Sequence, residues 1–208
     1  MTTATTTQIN VYTYDQLDHA AQDRVRIWVN ENDDWWYEHI IDWRKEEANK
    51  RGAYINHVYF CASHTQGDYA AMEGQVDVIE WLCASDDASE AELGQRLQAY
   101  RDKDLIWDDM ATLQSGRGWQ DITCHLQGID ADYITEEDGV SPEQFDRDLE
   151  QAEEVFGQSI RDFNHDTLQM LYEELDYLYS DEYIKETCEV NEYLFSEHGD
   201  PIHHLAIA

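Results

Sequence analysis

Lysine is almost missing from this sequence: Lys45, Lys50, Lys103 and Lys185 are the four among 208 residues. Lys and Arg together number 13 against 46 Asp and Glu, a formal net charge of −33. A chain so charged repels phosphate, so direct binding of nucleic acid or adsorption to an anionic membrane is not expected. Proline (2) and glycine (10) are too scarce for long flexible linkers. The four cysteines, Cys61, Cys83, Cys124 and Cys188, are too widely spaced for a disulfide framework. Free thiols in a reducing cytoplasm are the expectation. No apolar run is long enough to span a membrane. The Thr-rich start, Met1 to Thr7, has neither a basic region nor an apolar one, so it does not read as a signal peptide.

What is present is apolar and aromatic. Hydrophobic residues make up 42% of the chain, with 7 Trp and 13 Tyr, enough to build a core despite the charge. Gln8 to Tyr14 reads as a short strand, and Asp15 opens a helix with Asp18 three residues on. Leu17, Ala20, Ala21, Val25 and Trp28 form its apolar face. Asp34 to Lys50 reads as a second helix, with Trp36, Ile40 and Trp43 inward. Ala53–Ala62 and Tyr69–Cys83 read as a β-hairpin closed by His64-Thr65-Gln66-Gly67-Asp68. Ser85 to Asp102 is expected to be helical, capped by Ser85 or Ser89, and Gly116 to Leu126 extended. Ser141-Pro142-Glu143 starts a helix that runs to about Tyr179, and a last helix spans Asp181 to His198. Pro201 to Ala208 is either an edge strand or loose. These elements describe an α+β protein: a small antiparallel sheet with packed helices over 1–129, then an acidic helical part over 130–208 packed on it as one unit.

The charge is uneven. Residues 1–129 hold 23 acids and 10 bases; residues 130–208 hold 23 acids and 3 bases, Arg147, Arg161 and Lys185. On a helical wheel over 160–179, Ile160, Phe163, Leu171, Leu175 and Leu178 share one face. Asp162, Asp166, Glu173 and Asp176 line the opposite one, with Gln169 in the gap. That is roughly one polar group per ~5.4 Å turn. Duplex DNA carries one charge per ~1.7 Å, so a net of −33 matches about 56 Å of duplex.

Such a surface suits a basic, nucleic-acid-binding protein. Carboxylates would replace phosphates in releasing its counterions, and exposed aromatics would lengthen the encounter. The residues expected to touch this partner are Asp162, Asp166, Glu173, Asp176, Glu136, Glu137, Asp138, Tyr172 and Tyr177. Tyr133, Tyr179, Tyr183 and Tyr193 are further tyrosines expected to be exposed beside acids. A homodimer would double the surface. A salt-adapted protein of unrelated function is the alternative source of the same composition.

Chemistry is thinner. Cys61-x-x-His64 has ligand spacing, and Cys83 joins it only if the hairpin brings the two cysteines together. Ser63, His64 and Asp68 are the residue types of a hydrolytic triad, but neighbours in one turn rarely take its geometry. A small enzyme or metal protein around His64 and Asp68 is therefore the lesser alternative. No cofactor motif is present, and Gly116-Arg117-Gly118 is too short for a phosphate loop.

Two stretches carry a resemblance. Tyr14-Asp15-Gln16-Leu17, followed by Ala20-Ala21-Gln22-Asp23-Arg24-Val25-Arg26 and Trp28, is similar to the opening of a group of bacteriophage proteins without an assigned function. Tyr59-Phe60 through Gln66-Gly67-Asp68-Tyr69-Ala70 resembles a second segment of the same group. Here Cys61-Ala62-Ser63 stands where Ser-Gly-Phe is usual, Thr65 replaces Ser and Tyr69 replaces Gly. The likeness covers about residues 8–82 and implies a phage or prophage origin. By analogy with small acidic phage proteins, it implies an inhibitor of host defence, with CRISPR effectors or restriction nucleases as targets in the host cytoplasm.

Overall fold

The structure, a computed structural model of the chain, describes residues 10–31, 36–116, 119–135 and 139–202. It is an α+β fold with six helices and a four-stranded antiparallel sheet plus a two-stranded one among the described residues. The chain divides into two compact units: 37–172, and 1–36 together with 173–208. The sequence reading drew its boundary at 129/130 instead.

In the larger unit, α2 (Glu38–Lys50) leads into β1 (Ala53–Cys61) and β2 (Tyr69–Asp77). After α3 (Val78–Cys83) and α4 (Ala88–Arg101) come β3 (Ile106–Asp108), β4 (Met110–Gly116), β5 (Trp119–Thr123) and β6 (Gln127–Gly128). The main sheet runs β1-β2-β4-β5, and β3 pairs with β6. The expected hairpin is present, but its second arm stops at Asp77. Val78, Ile79, Trp81 and Leu82 are all fully buried, a spacing that suits a helix and not a strand. The Asp77 carboxylate accepts the Glu80 amide at 2.7 Å and caps that helix.

Other caps also differ from expectation. Asp87 caps α4, accepting the amides of Ser89 at 2.8 Å and Glu90 at 3.2 Å, a role expected of Ser85 or Ser89. A carboxylate is the better cap because it complements the helix dipole. On α2, Trp43 faces solvent at 44% exposure while Arg44 is buried at 8%. The Arg44 Nε and Nη2 donate to Thr167 Oγ1 (2.9 Å) and the Phe163 carbonyl (2.7 Å), which makes that burial tolerable.

The core of this unit gathers Trp81, Leu93, Leu97, Leu113, Phe145, Phe156 and Ile160, all but fully buried. Burying one indole of about 150–250 Å² contributes roughly 4–6 kcal/mol as an upper bound. Trp81 Nε1 donates to buried Ser159 Oγ at 3.0 Å, so its polar edge is satisfied as well. Gln120 extends the sheet with its side chain: Oε1 accepts the Met72 amide and Nε2 donates to the Met72 carbonyl, both at 3.0 Å.

The last long element, α5 (Pro142–Leu178), starts as expected, with Ser141 Oγ accepting the Gln144 amide at 3.3 Å. It belongs to the larger unit through Tyr172.

The smaller unit holds α1 (His19–Glu31), the end of α5 and α6 (Asp181–Val190). Its core joins Ala21, Val25 and Val29 to Ile184, Cys188 and Phe195. Within the expected strand 8–14, Tyr12 makes only one bridge, to Phe195, and Tyr14–Gln16 is a 3-10 turn. Residues 8 and 9 lie outside the described residues. Asp18, not Asp15, opens α1 by accepting the Ala21 amide at 2.9 Å. The last helix stops at Val190, eight residues short of His198, because Glu192 takes a positive φ and Phe195 turns in to the core. No described helix is long and apolar enough to cross a membrane.

Candidate functional site

On α5 the apolar face expected from the wheel is buried: Ile160 and Leu171 completely, Phe163 at 6% and Leu178 at 5%. Leu175 is half-buried. Asp162 and Asp166 are exposed on the helix in the larger unit, and Glu173 and Asp176 are exposed in the smaller one. Asp162 accepts Gln158 Nε2 at 2.7 Å, one turn back. Among the described residues after 129, the acids are exposed except Asp148, Glu153 and Glu174. Glu136, Glu137 and Asp138 lie outside the described residues.

Of Asp148, Glu153 and Glu174, Asp148 lies deepest. It is fully buried, yet it stands 18 residues before exposed Asp166, about five turns away. The two therefore share a wheel position and differ in their surroundings. Arg96 clamps Asp148 with Nε and Nη2, both at 3.0 Å, and Tyr100 Oη (2.7 Å) and Gln144 Nε2 (2.7 Å) complete the shell. Burial pushes its carboxyl pKa up, but these donors outweigh it and hold the group below the ordinary range. The same burial, with the charge of Asp148, pushes Tyr100 up to about 12.

The tyrosines sort into two groups. Tyr133 (75%), Tyr179 (59%) and Tyr177 (43%) are exposed. Tyr172, Tyr183 and Tyr193 are half-buried, against expectation. Tyr193 packs edge-on against Trp28, and Tyr172 is engaged with the hairpin turn. Besides Trp43 and Tyr59, the exposed aromatics without a sequence expectation of exposure include Trp107 (63%) on β3 and Tyr54 (66%) on β1. Both sit next to buried residues, Ile106 and Ala53, so strand alternation was the available signal.

The hairpin turn is built around Asp68. Its Oδ2 accepts the amides of Ser63 (2.7 Å) and Thr65 (3.0 Å) and the Tyr172 hydroxyl (2.9 Å). Its Oδ1 accepts the hydroxyls of Ser63 (3.1 Å) and Thr65 (2.9 Å), and the Cys61 thiol lies at 3.5 Å. Backbone donors above all, then the side chains, hold this carboxyl far below its usual range. His64, at φ 55°, stacks its ring on Tyr172 at 4.4 Å. The Ser63 hydroxyl thus faces a carboxylate that is already saturated, whereas a triad sets an imidazole between the two. The arrangement organises a turn.

No group of three or more His, Cys, Asp or Glu among the described residues is arranged to hold a metal. The cysteines are free thiols. Burial pushes Cys124 up to about 12 and Cys188 to about 11, and raises Cys83.

Comparison with known proteins returns no matching family model, no matching curated protein and no matching solved structure.

Proposed function

We propose that this protein is a non-catalytic inhibitor that occupies the nucleic-acid-binding surface of a basic protein by presenting carboxylates in place of phosphates. One observation carries the reading: acids on α5 stand exposed on a helix whose other face is locked into a core, in a chain with a net charge of −33. Carboxylates on a helix meet a basic groove without first paying the ordering entropy of a disordered acidic tail. Long-range attraction speeds the encounter, and Tyr133, Tyr177 and Tyr179 offer rigid apolar contact that slows release. The partner class is a host defence complex that grips DNA or RNA, a CRISPR effector or restriction nuclease, met in the host cytoplasm.

The test is capture from host lysate on immobilised protein, with and without excess duplex DNA. The expected result is a basic partner that duplex DNA displaces. Capture that is indifferent to duplex DNA counts against the proposal.

A salt-adapted surface accounts for the same scarcity of lysine. It predicts a fold lost in low salt and regained in molar KCl, where mutual repulsion of the acids is screened. The inhibitor reading predicts a folded protein at low salt.

A further inference from the structure

In the larger unit, a groove of about 530 Å³ lies between α2, the start of α4 and α5. Two arginines line it, and in a chain so rich in carboxylates neither makes an ion pair with a described residue. The Arg44 guanidinium lies 3.4 Å from the Phe163 ring centre and donates from Nε and Nη2, which leaves Nη1 without a protein partner among the described residues. The Arg51 guanidinium stacks 4.1 Å from the Trp81 ring centre, and its buried Nε has no hydrogen-bond partner among the described residues. Burial lowers the pKa of both, Arg44 to about 10, and the charge of Arg51 lowers that of Arg44 further. Two like charges share a desolvated floor, where Arg44 keeps Nη1 and Arg51 keeps its planar N–H fork without an acceptor among the described residues. Such forks match the two oxygens of a carboxylate or phosphate.

The rim sets the second requirement. The lining holds three cations (Arg44, Lys50 and Arg51) against six carboxylates. Lys50 is spent on Glu47 at 2.6 Å. A bare anion is repelled by such a rim, whereas a ligand that also carries a cation is drawn to it. Asp86 and Asp166 are exposed there.

We propose that this groove binds a small zwitterion, with its carboxylate or phosphate on Arg51 and Arg44 and its ammonium against Asp86 and Asp166. The groove shares Asp162 and Asp166 with the inhibitor reading but not Arg51, so an Arg51→Gln protein that still captures its partner separates the two.

Calorimetric titration of the full chain with glycine, 4-aminobutyrate, 6-aminohexanoate and phosphoethanolamine tests the proposal. Acetate, inorganic phosphate and butylamine serve as singly functional controls. At least one zwitterion is expected to bind with Kd below about 1 mM, and Arg51→Gln to weaken it roughly tenfold or more. The double substitution Asp86→Asn/Asp166→Asn is expected to weaken the zwitterion and to strengthen acetate and phosphate. Both of those side chains are exposed, so this arm decides if Arg51→Gln fails to fold. The proposal is overturned if no zwitterion binds or if phosphate or acetate binds as tightly. Unchanged zwitterion affinity in a folded Arg51→Gln or double variant overturns it too.

Discussion

Replacing Asp148 tests the packing of α5 against α4. In Asp148→Ala, Arg96 loses a two-point clamp and the Tyr100 hydroxyl loses its acceptor inside the core. Breaking a buried pair from one side costs about 3–5 kcal/mol. Arg96 is 41% exposed and recovers water, whereas Tyr100, 5% exposed, does not. The lower end, about 3 kcal/mol, is therefore expected. Asp148→Asn keeps an acceptor for Tyr100 and should cost less.

The pH dependence has a definite sign. The folded carboxyl lies below its unfolded value of about 3.9. Its contribution is thus complete above that pH and fades as pH falls through the folded value. The Asn variant should lose less of its remaining stability than the wild type on acidification below about pH 4. Urea unfolding at pH 7 and pH 3, followed by tryptophan fluorescence, reads both effects. A loss under about 1 kcal/mol for Asp148→Ala at pH 7 refutes the reasoning.

Three further outcomes follow from the fold. In the native protein at pH 8, iodoacetamide should modify exposed Cys61 and spare Cys124 and Cys188, read by mass spectrometry; equal labelling of all contradicts their burial. Gly94→Ala should destabilise by about 1–3 kcal/mol, because a Cβ would sit 2.5 Å from the Cys83 amide nitrogen; an unchanged Tm would show that α3 and α4 approach less closely. Asp68→Ala should abolish amide-exchange protection at Ser63 and Thr65 while the central strands keep theirs; retained protection there would show that the turn holds without its carboxylate.

Sequence was a good guide where one periodicity ran long enough. The apolar face of α5 from Ile160 to Leu178 and the hairpin strands were legible because burial there repeats with the period of the element. Asp148 was not, since an acid reads as solvated until its partners are known, and Arg96 and Tyr100 lie some fifty residues away in the chain. The same holds for Arg44: hydrophobicity puts Trp43 inward, but Phe163 and Thr167 offer a guanidinium a ring face and two acceptors. Val78–Cys83 was misread because it continues an apolar strand without a break, and the Asp77 cap marks where the period changes. The carboxylate row was legible as a pattern, and its exposure followed from the burial of the face behind it. The groove floored by Arg44 and Arg51 was not, because its walls come from three separate helices.

The central claim concerns the carboxylates themselves. The measurement that tests it most directly is displacement of labelled duplex DNA from the captured basic partner, comparing the wild type with a protein in which Asp162, Asp166, Glu173 and Asp176 are reversed to lysine. The account predicts that the wild type displaces the duplex, with an effect that weakens as salt rises, and that the reversed protein, still folded by circular dichroism, does not. Equal displacement by both proteins contradicts it.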